Sequence, residues 1–372
     1  MKICVVTPRF TIAGVPLAQL RFSRALADKG HDVTLVIGRI DVKHELPEVV
    51  GVKVIKWDCR NVRTMLLPLY KFFREEQPEV IFTAEDHLNV IVLLAALMAG
   101  SKAKISCSSR VTPYDTYSNI PFSKRWVLKQ LMRAVMWRAD ALTCVSTGTV
   151  EEYRNVFKSA PHVCVYNIVD DPHSRLKMTE TVDHQWLTNK KAPVLVAAGR
   201  LASWKGYADL IRAMAELIKR RDARLLILGD GPLRAELEAL VIELDLSDFV
   251  DILGYVDNPL AYFARADVFA HSAYVESLGN VLVEAMMCGC TPVSTDCPTG
   301  PREVLQGGKY GYLVPMHDPK AMAAGIDRAL DHPIPKALLD EAVLRFEEGA
   351  IIARHFEVLG LEDKDFSQES VL

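Results

Sequence analysis

The chain reads as an α/β protein built from two parallel-sheet halves facing a central cleft, and three observations predict it. Short runs rich in Val, Ile and Leu alternate with longer segments of helical periodicity from residue 2 to about 166, the pattern of parallel strands covered on both faces. The alternation breaks between 170 and 191 into a polar stretch holding Pro172, His173 and His184, then resumes from Pro193 to about 330. At 372 residues, half of them apolar, the chain is long enough for two domains with a core each.

Taken in order, strands are expected near 2–7, 32–37, 53–57, 79–83, 103–107, 141–145 and 163–166, with helices near 15–29, 64–76, 87–99, 122–138 and 147–157. This fills a first Rossmann-like domain, 1–170, followed by a linker, 171–191. A second Rossmann-like domain spans 192–345. A last helix, about 342–359, is expected to cross back to the first domain, so that 346–372 forms a crossing helix and a polar tail. The start, Met1-Lys-Ile-Cys-Val-Val-Thr7, is a first strand rather than a signal sequence. The longest apolar stretch, around 90–99, is too short to span a bilayer, so a cytoplasmic location is expected. The eight cysteines, with no C-x-x-C pair, read as buried free thiols. Cys288 and Cys290 lack a neighbouring His cluster and read as packing, not as a metal site.

Chemistry concentrates in the second half. After the strand-like run 266–271 comes Glu276-Ser-Leu-Gly-Asn-Val-Leu-Val-Glu284, two carboxylates eight positions apart. Gly279-Asn280 turns into a helix whose first N–H groups, with Ser277 and Leu278, suit an anion such as phosphate. Glu276 falls in the loop and Glu284 inside the helix, so they serve different parts of one ligand rather than forming a close dyad. Independently, the run 193–198 turns through Gly199-Arg-Leu-Ala-Ser-Trp-Lys-Gly206 into an amphipathic helix, 207–219. Strand, glycine, two cations and helix is how an α/β fold receives a diphosphate. Two further strand ends, at Gly229 and at Tyr255-Val256, read on their residues alone as a turn glycine and a packed aromatic or as part of a ligand pocket.

These segments, with Cys288-Gly-Cys-Thr-Pro-Val-Ser-Thr-Asp-Cys-Pro-Thr-Gly-Pro-Arg-Glu303, resemble the donor-binding signatures of family 4 glycosyltransferases. The likeness is strongest to the branch that moves N-acetylhexosamines and hexoses onto lipid-linked or polysaccharide acceptors. The resemblance implies a GT-B fold, retention of configuration and a nucleotide-sugar donor, UDP-linked by the same likeness, with no resident cofactor and no metal. It puts Glu276 at the transferred sugar and Glu284 on the ribose. Arg200 and Lys205 neutralise the diphosphate, Gly199 lies beside it, and the base sits near Gly229, Tyr255 and Val256. The only D-x-D triplet, Asp363-Lys364-Asp365, lies in the polar tail and reads as coincidence.

The first half departs from the family pattern. Many relatives carry a Gly-Gly pair after the first strand, whereas Ile12-Ala13-Gly14-Val15-Pro16 keeps one glycine, Gly14, to approach the diphosphate or acceptor. Ser106-Cys-Ser-Ser-Arg-Val-Thr-Pro-Tyr114 resembles the S-E-R-x-x-P variant, with Arg110 as a cation for a diphosphate. Glu85-Asp86-His87 is the other polar cluster at a strand end; His87 is an acceptor-base candidate, and the cluster also reads as a helix cap.

Charge is divided unevenly. Residues 1–170 hold 23 Lys/Arg against 16 Asp/Glu, although the whole chain is at −3. Residues 121–138 carry five cations, no acid and interleaved Phe122, Trp126, Leu131, Met132 and Trp137; 65–74 has the same character. Such a helix suits an anionic membrane surface, or it is a packed helix with a solvated basic face. Nucleic acid is not expected, since the chain is acidic and lacks a recognition motif. The expected function is glycosyl transfer to a glycan acceptor, polyprenyl-diphosphate-linked or polysaccharide. The alternatives are a sugar-nucleotide 2-epimerase of the same fold and a non-catalytic nucleotide-sugar-binding protein.

Overall fold

A computed structural model describes residues 1–10, 14–40, 49–158 and 160–361. The chain forms two compact units, Met1–Ile168 with Glu348–Leu372, and Val169–Glu347. The D-x-D triplet and residues 12 and 13 lie outside the described residues.

In the first unit the strands are β1 (Lys2–Thr7), β2 (Asp32–Ile37), β3 (Val52–Lys56), β4 (Val80–Ala84), β5 (Lys104–Ser109), β6 (Ala141–Cys144) and β7 (His162–Cys164). All pair in parallel in the order β3-β2-β1-β4-β5-β6-β7. The helices between them are α1 (Gly14–Asp28), α2 (Leu66–Glu76), α3 (Asp86–Ala99), α4 (Pro113–Thr116), α5 (Lys124–Val135) and α6 (Thr147–Val156). Successive strand residues point to opposite faces, and β1 shows the result: Cys4 and Val6 enter one core with Phe72, Leu93 and Met132, while Ile3 and Val5 enter another with Phe22 and Leu26. Burying each such aromatic stabilises the unit by roughly 1.5–3 kcal/mol. Strand β7 ends at Cys164, two residues short of expectation, because Val165 onward leaves the ladder.

The second unit holds α7 (Pro172–Lys177), α8 (Gln185–Thr188), β8 (Val194–Ala198), α9 (Tyr207–Leu217), β9 (Arg224–Leu228), α10 (Arg234–Glu243), β10 (Val250–Gly254), α11 (Pro259–Phe263), β11 (Val268–His271), α12 (Asn280–Met287), β12 (Thr291–Thr295), α13 (Pro301–Val304), β13 (Tyr312–Val314), α14 (Pro319–Asp331) and α15 (Lys336–Val343). Its sheet runs β10-β9-β8-β11-β12-β13, again all parallel. In both sheets the strand order reverses once, between β1 and β4 and between β8 and β11. At such a reversal neighbouring loops leave in opposite directions and open a crevice at the carboxyl ends of the strands.

Three expectations are corrected. The stretch 171–191, read as a linker, belongs to the second unit and folds into α7 and α8. Asp171 caps α7 by accepting from Ser174 N at 3.0 Å, and the His184 ring caps α8 by accepting from Trp186 N at 3.2 Å. The single helix expected over 342–359 is broken: α15 ends at Val343, a 3₁₀ turn follows, Glu347 is extended, and α16 (Glu348–Leu359) starts anew. Helix α16 belongs to the first unit, where Phe356 is buried and the His355 ring meets Phe22 at 4.8 Å and Phe82 at 5.4 Å.

The third correction concerns the helix expected over 122–138, which runs only to Val135 before a 3₁₀ turn, Met136–Arg138. Helix α5 starts at Lys124, where Ser123 Oγ accepts from Trp126 N at 3.1 Å. Of the five cations, three bond to partners outside the helix, Arg125 donating to the Tyr114 carbonyl. Lys129 is 6% exposed and donates to Asn119 Oδ1 at 2.6 Å; Arg138 donates to the carbonyls of Ser101 and Ala103 at 2.7 and 2.9 Å. Met132 is core, whereas Phe122 and Trp137 are 88% and 70% exposed. Among the described residues no helix is long and apolar enough to cross a membrane.

Candidate active site

The donor candidates converge on one edge of the second sheet. Gly199 and Arg200 follow β8, Gly229 follows β9, Tyr255 and Val256 follow β10, and Glu276 to Asn280 follow β11. These four strands are neighbours, so residues from 199 to 284 meet at their carboxyl ends. The loops pack backbone to backbone, and only glycine fits. A Cβ on Gly229 would lie 1.9 Å from the Gly199 carbonyl oxygen, and one on Gly206 would lie 2.1 Å from that of Ser272. Both have positive φ, 149° and 64°, a region glycine occupies without strain.

At the β8/β11 reversal the structure brings Lys205 and Glu276 into direct contact: Lys205 Nζ donates to Glu276 Oε1. The two loops are stitched together beside this pair. Ser272 Oγ donates to the Lys205 carbonyl at 2.8 Å, Tyr274 N donates to the Trp204 carbonyl at 2.8 Å, and Thr299 Oγ1 donates to the Glu276 carbonyl. Burial alone would raise the Glu276 carboxyl, but Lys205 and then His271 outweigh it and hold the group well below the usual carboxylate range. A permanently ionised carboxylate next to an ammonium is therefore built in before any ligand arrives. Arg200 is exposed, with no side-chain partner among the described residues.

Glu284 lies in the second turn of α12, half-buried and with bonds of its own. Helix α12 starts from Gly279, at φ 88°, and the Leu278 side chain is buried beneath the turn. Ser277 and Asn280 are half-buried at that turn, and both have partners. Tyr255 is 53% exposed beside the half-buried Val256, after a register shift at Gly254. Arg234 lies over Gly254 and donates to the Ile252 carbonyl at 3.2 Å.

Sequence reasoning missed His271 and Ser294. The imidazole is buried at the end of β11, with Nε2 3.4 Å from Glu276 Oε1 and Nδ1 2.8 Å from Ser294 Oγ on β12. The signal available was a polar residue closing an otherwise apolar strand.

In the first unit, Gly14 opens α1, where a Cβ would meet open space. The Glu85-Asp86-His87 cluster is split. Asp86 is buried, accepting from Ser109 Oγ at 2.8 Å, Tyr117 OH at 2.9 Å and Tyr153 OH at 2.7 Å, so it anchors α3. His87 points to solvent, and Glu85 is half-buried at φ 80°. Arg110, expected as a cation free for a diphosphate, is held by Asn167 Oδ1 and by Gln19 Oε1 at 3.1 Å, and burial lowers it to about 10.

Two parallel-sheet domains and paired cations and carboxylates at a strand-order reversal define a glycosyltransferase of the GT-B fold. Residues 13–172 match Glycosyltransferase Family 4 and residues 178–345 match Glycosyl transferases group 1. The chain is 33% identical over 345 residues to an N-acetylgalactosamine-N,N'-diacetylbacillosaminyl-diphospho-undecaprenol 4-alpha-N-acetylgalactosaminyltransferase of Campylobacter jejuni, covering 89% of this chain and 88% of that one. It therefore belongs to the family 4 glycosyltransferases. It is also 29% identical over 236 residues to an N-acetyl-alpha-D-glucosaminyl L-malate synthase of Bacillus anthracis, covering 63% of this chain and 60% of that one. Among solved structures, a glycosyltransferase from Rickettsia africae superposes with TM-score 0.76 at 16% identity over 96% of this chain and 97% of that one. Anabaena HepE in complex with UDP gives 0.74 at 19% identity over 97% and 100%.

Proposed function

We propose that the protein is a retaining glycosyltransferase that moves a hexose or N-acetylhexosamine from a UDP-sugar to a polyprenyl-diphosphate-linked or polysaccharide glycan. The single observation that carries this reading is the meeting of Lys205 and Glu276 at the β8/β11 reversal, with Arg200 exposed on the loop that carries Lys205. An arriving diphosphate draws Lys205 and Arg200 to its oxygens, and Glu276 faces the sugar. The bond from the anomeric carbon to the diphosphate oxygen breaks as the acceptor oxygen bonds the same face. The acceptor's proton passes to the leaving diphosphate. Charge developing on that group is met by the two cations and the first N–H groups of α12, fixed donors in a site partly shielded from water. Glu284 binds the ribose, and Tyr255 and Val256 line the base. Transfer requires no metal, since the cations take that share of the charge.

The acceptor class is supported by the Campylobacter relative, whose name specifies a diphospho-undecaprenol substrate. The donor class is supported by HepE, solved with UDP. The test is a panel of UDP-hexoses and UDP-N-acetylhexosamines incubated with membrane extract, following UDP release and the product's anomeric configuration. One arm contains EDTA. A retained anomer with EDTA-insensitive turnover is the expected result. Isomerised donor without transfer would establish the epimerase reading, binding without turnover the non-catalytic one, and EDTA loss restored by Mg²⁺ would overturn the metal-free reaction.

A further inference from the structure

His271 closes β11 and is 4% exposed. Three groups surround its ring: Ser294 Oγ at 2.8 Å from Nδ1, Glu276 Oε1 at 3.4 Å from Nε2, and Lys205, whose Nζ binds that same Oε1. Ser294 Oγ also lies 2.9 Å from the Thr295 carbonyl oxygen. A neutral imidazole has one N–H and one lone pair. If Nδ1 carried the proton, the Nε2 lone pair would face a carboxylate lone pair. With the proton on Nε2, the ring donates to Glu276, and the Ser294 hydroxyl turns to donate to Nδ1. Only the second arrangement gives Glu276 Oε1 a donor from the ring, the Ser294 hydroxyl turning from the Thr295 carbonyl to Nδ1. Burial keeps the ring neutral despite the opposing pull of Glu276, which is the condition this argument needs.

We propose that His271 is a positioning residue for transfer: Ser294 sets its tautomer, and its Nε2–H pins Oε1 of Glu276, leaving Oε2 as the oxygen that meets the transferred sugar. This rests on the reading of Glu276 as the sugar-facing carboxylate. Oε2 has no hydrogen-bond partner among the described residues, while Oε1 has two. The arrangement also explains how Glu276 stays oriented when a diphosphate draws Lys205 away. Its second tether is a neutral donor at the end of β11, the strand that leads into its own loop. Partners that fix the orientation of a functional group typically contribute about 10–100-fold to activity.

The test compares Glu276→Gln, His271→Leu, His271→Gln and Ser294→Ala in the full chain. Turnover is read as UDP released from UDP-N-acetylhexosamines with membrane extract, alongside UDP affinity and thermal unfolding. His271→Leu should lower kcat by about 10–100-fold with KM and UDP affinity nearly unchanged. His271→Gln, which keeps an N–H donor at the reach of Nε2, should recover most of that loss. Ser294→Ala should lower kcat less than His271→Leu. Wild-type kcat in His271→Leu, with Glu276→Gln inactive, overturns the positioning role while leaving the function intact. Wild-type kcat in Glu276→Gln overturns the underlying reading as well. Equal impairment of the Leu and Gln variants reduces His271 to packing, and wild-type kcat in Ser294→Ala refutes the tautomer assignment. If the Leu variant fails to fold, the Gln and Ser294 variants still decide the matter.

Discussion

Lys205 has two demands on one ammonium. Without a ligand it neutralises Glu276; during transfer it must neutralise a diphosphate. Lys205→Ala removes the charge that stabilises the departing nucleotide, so turnover should fall by about 10²–10³-fold; it also leaves the largely buried Glu276 carboxylate without its cation, so the unfolding temperature should fall as well. Stopped or radiometric assays at saturating donor check this, and wild-type kcat would sink the diphosphate role. Glu284→Ala should instead weaken UDP binding with a smaller change in kcat, since a ribose contact is made equally in ground and transition states. Calorimetric titration with UDP separates the two. Both residues were legible as sequence because their spacing sits between a strand and a helix. The contact of Lys205 with Glu276 was not, since 71 positions separate them.

At the scale of elements, α5 shows what periodicity leaves open. The stretch 121–138 around it interleaves cations with aromatic and aliphatic residues, and only packing sorts them into Lys129 and Met132 inside and Phe122, Trp137, Lys124, Arg125 and Arg133 outside. The outward set suits an anionic surface, with each cation near it contributing about 1 kcal/mol. Replacing Lys124, Arg125 and Arg133 with Glu should therefore abolish co-sedimentation with anionic vesicles and slow transfer to a lipid-linked acceptor, leaving UDP affinity unchanged. Pelleting by the triple variant, or none by the wild type, would make α5 an ordinary packed helix. Helix α16 makes the same point from the other side. Its break from α15 falls at Glu347, and the one glycine nearby, Gly349, lies inside the first turn of α16 rather than at the break.

For the molecule as a whole, buried imidazoles set an acid limit. Burial, joined by Arg154, lowers His162 to about 4, and burial, joined by Arg110, lowers His355 to about 3. Both are neutral in the fold, while an unfolded histidine titrates near 6.5. Below that value the unfolded chain binds more protons, so stability is flat above about pH 6.5 and falls as pH drops toward 4 and 3. The slope reaches about 1.4 kcal/mol per pH unit for each ring. Unfolding temperature measured from pH 7.5 to 5 should decline accordingly, and His355→Leu should flatten the decline. An unchanged slope in that variant would show that the carboxylates dominate.

Strand periodicity and loop chemistry are local, so the two parallel-sheet domains and the loops that carry the cations and carboxylates were legible in the sequence, whereas the boundary between the domains was not, since 171–191 folds with the second unit. Only the tertiary structure decided which of these groups touch. The order of strands in a parallel sheet comes from crossovers that local pattern does not encode, and that order brings β8 beside β11 and so Lys205 onto Glu276. The same long-range pairing sets β12 beside β11 and His271 against Ser294, ties Arg110 to Gln19 and Asn167, and buries Lys129. A polar residue's role as ligand, anchor or packing depends on neighbours that are distant in the chain.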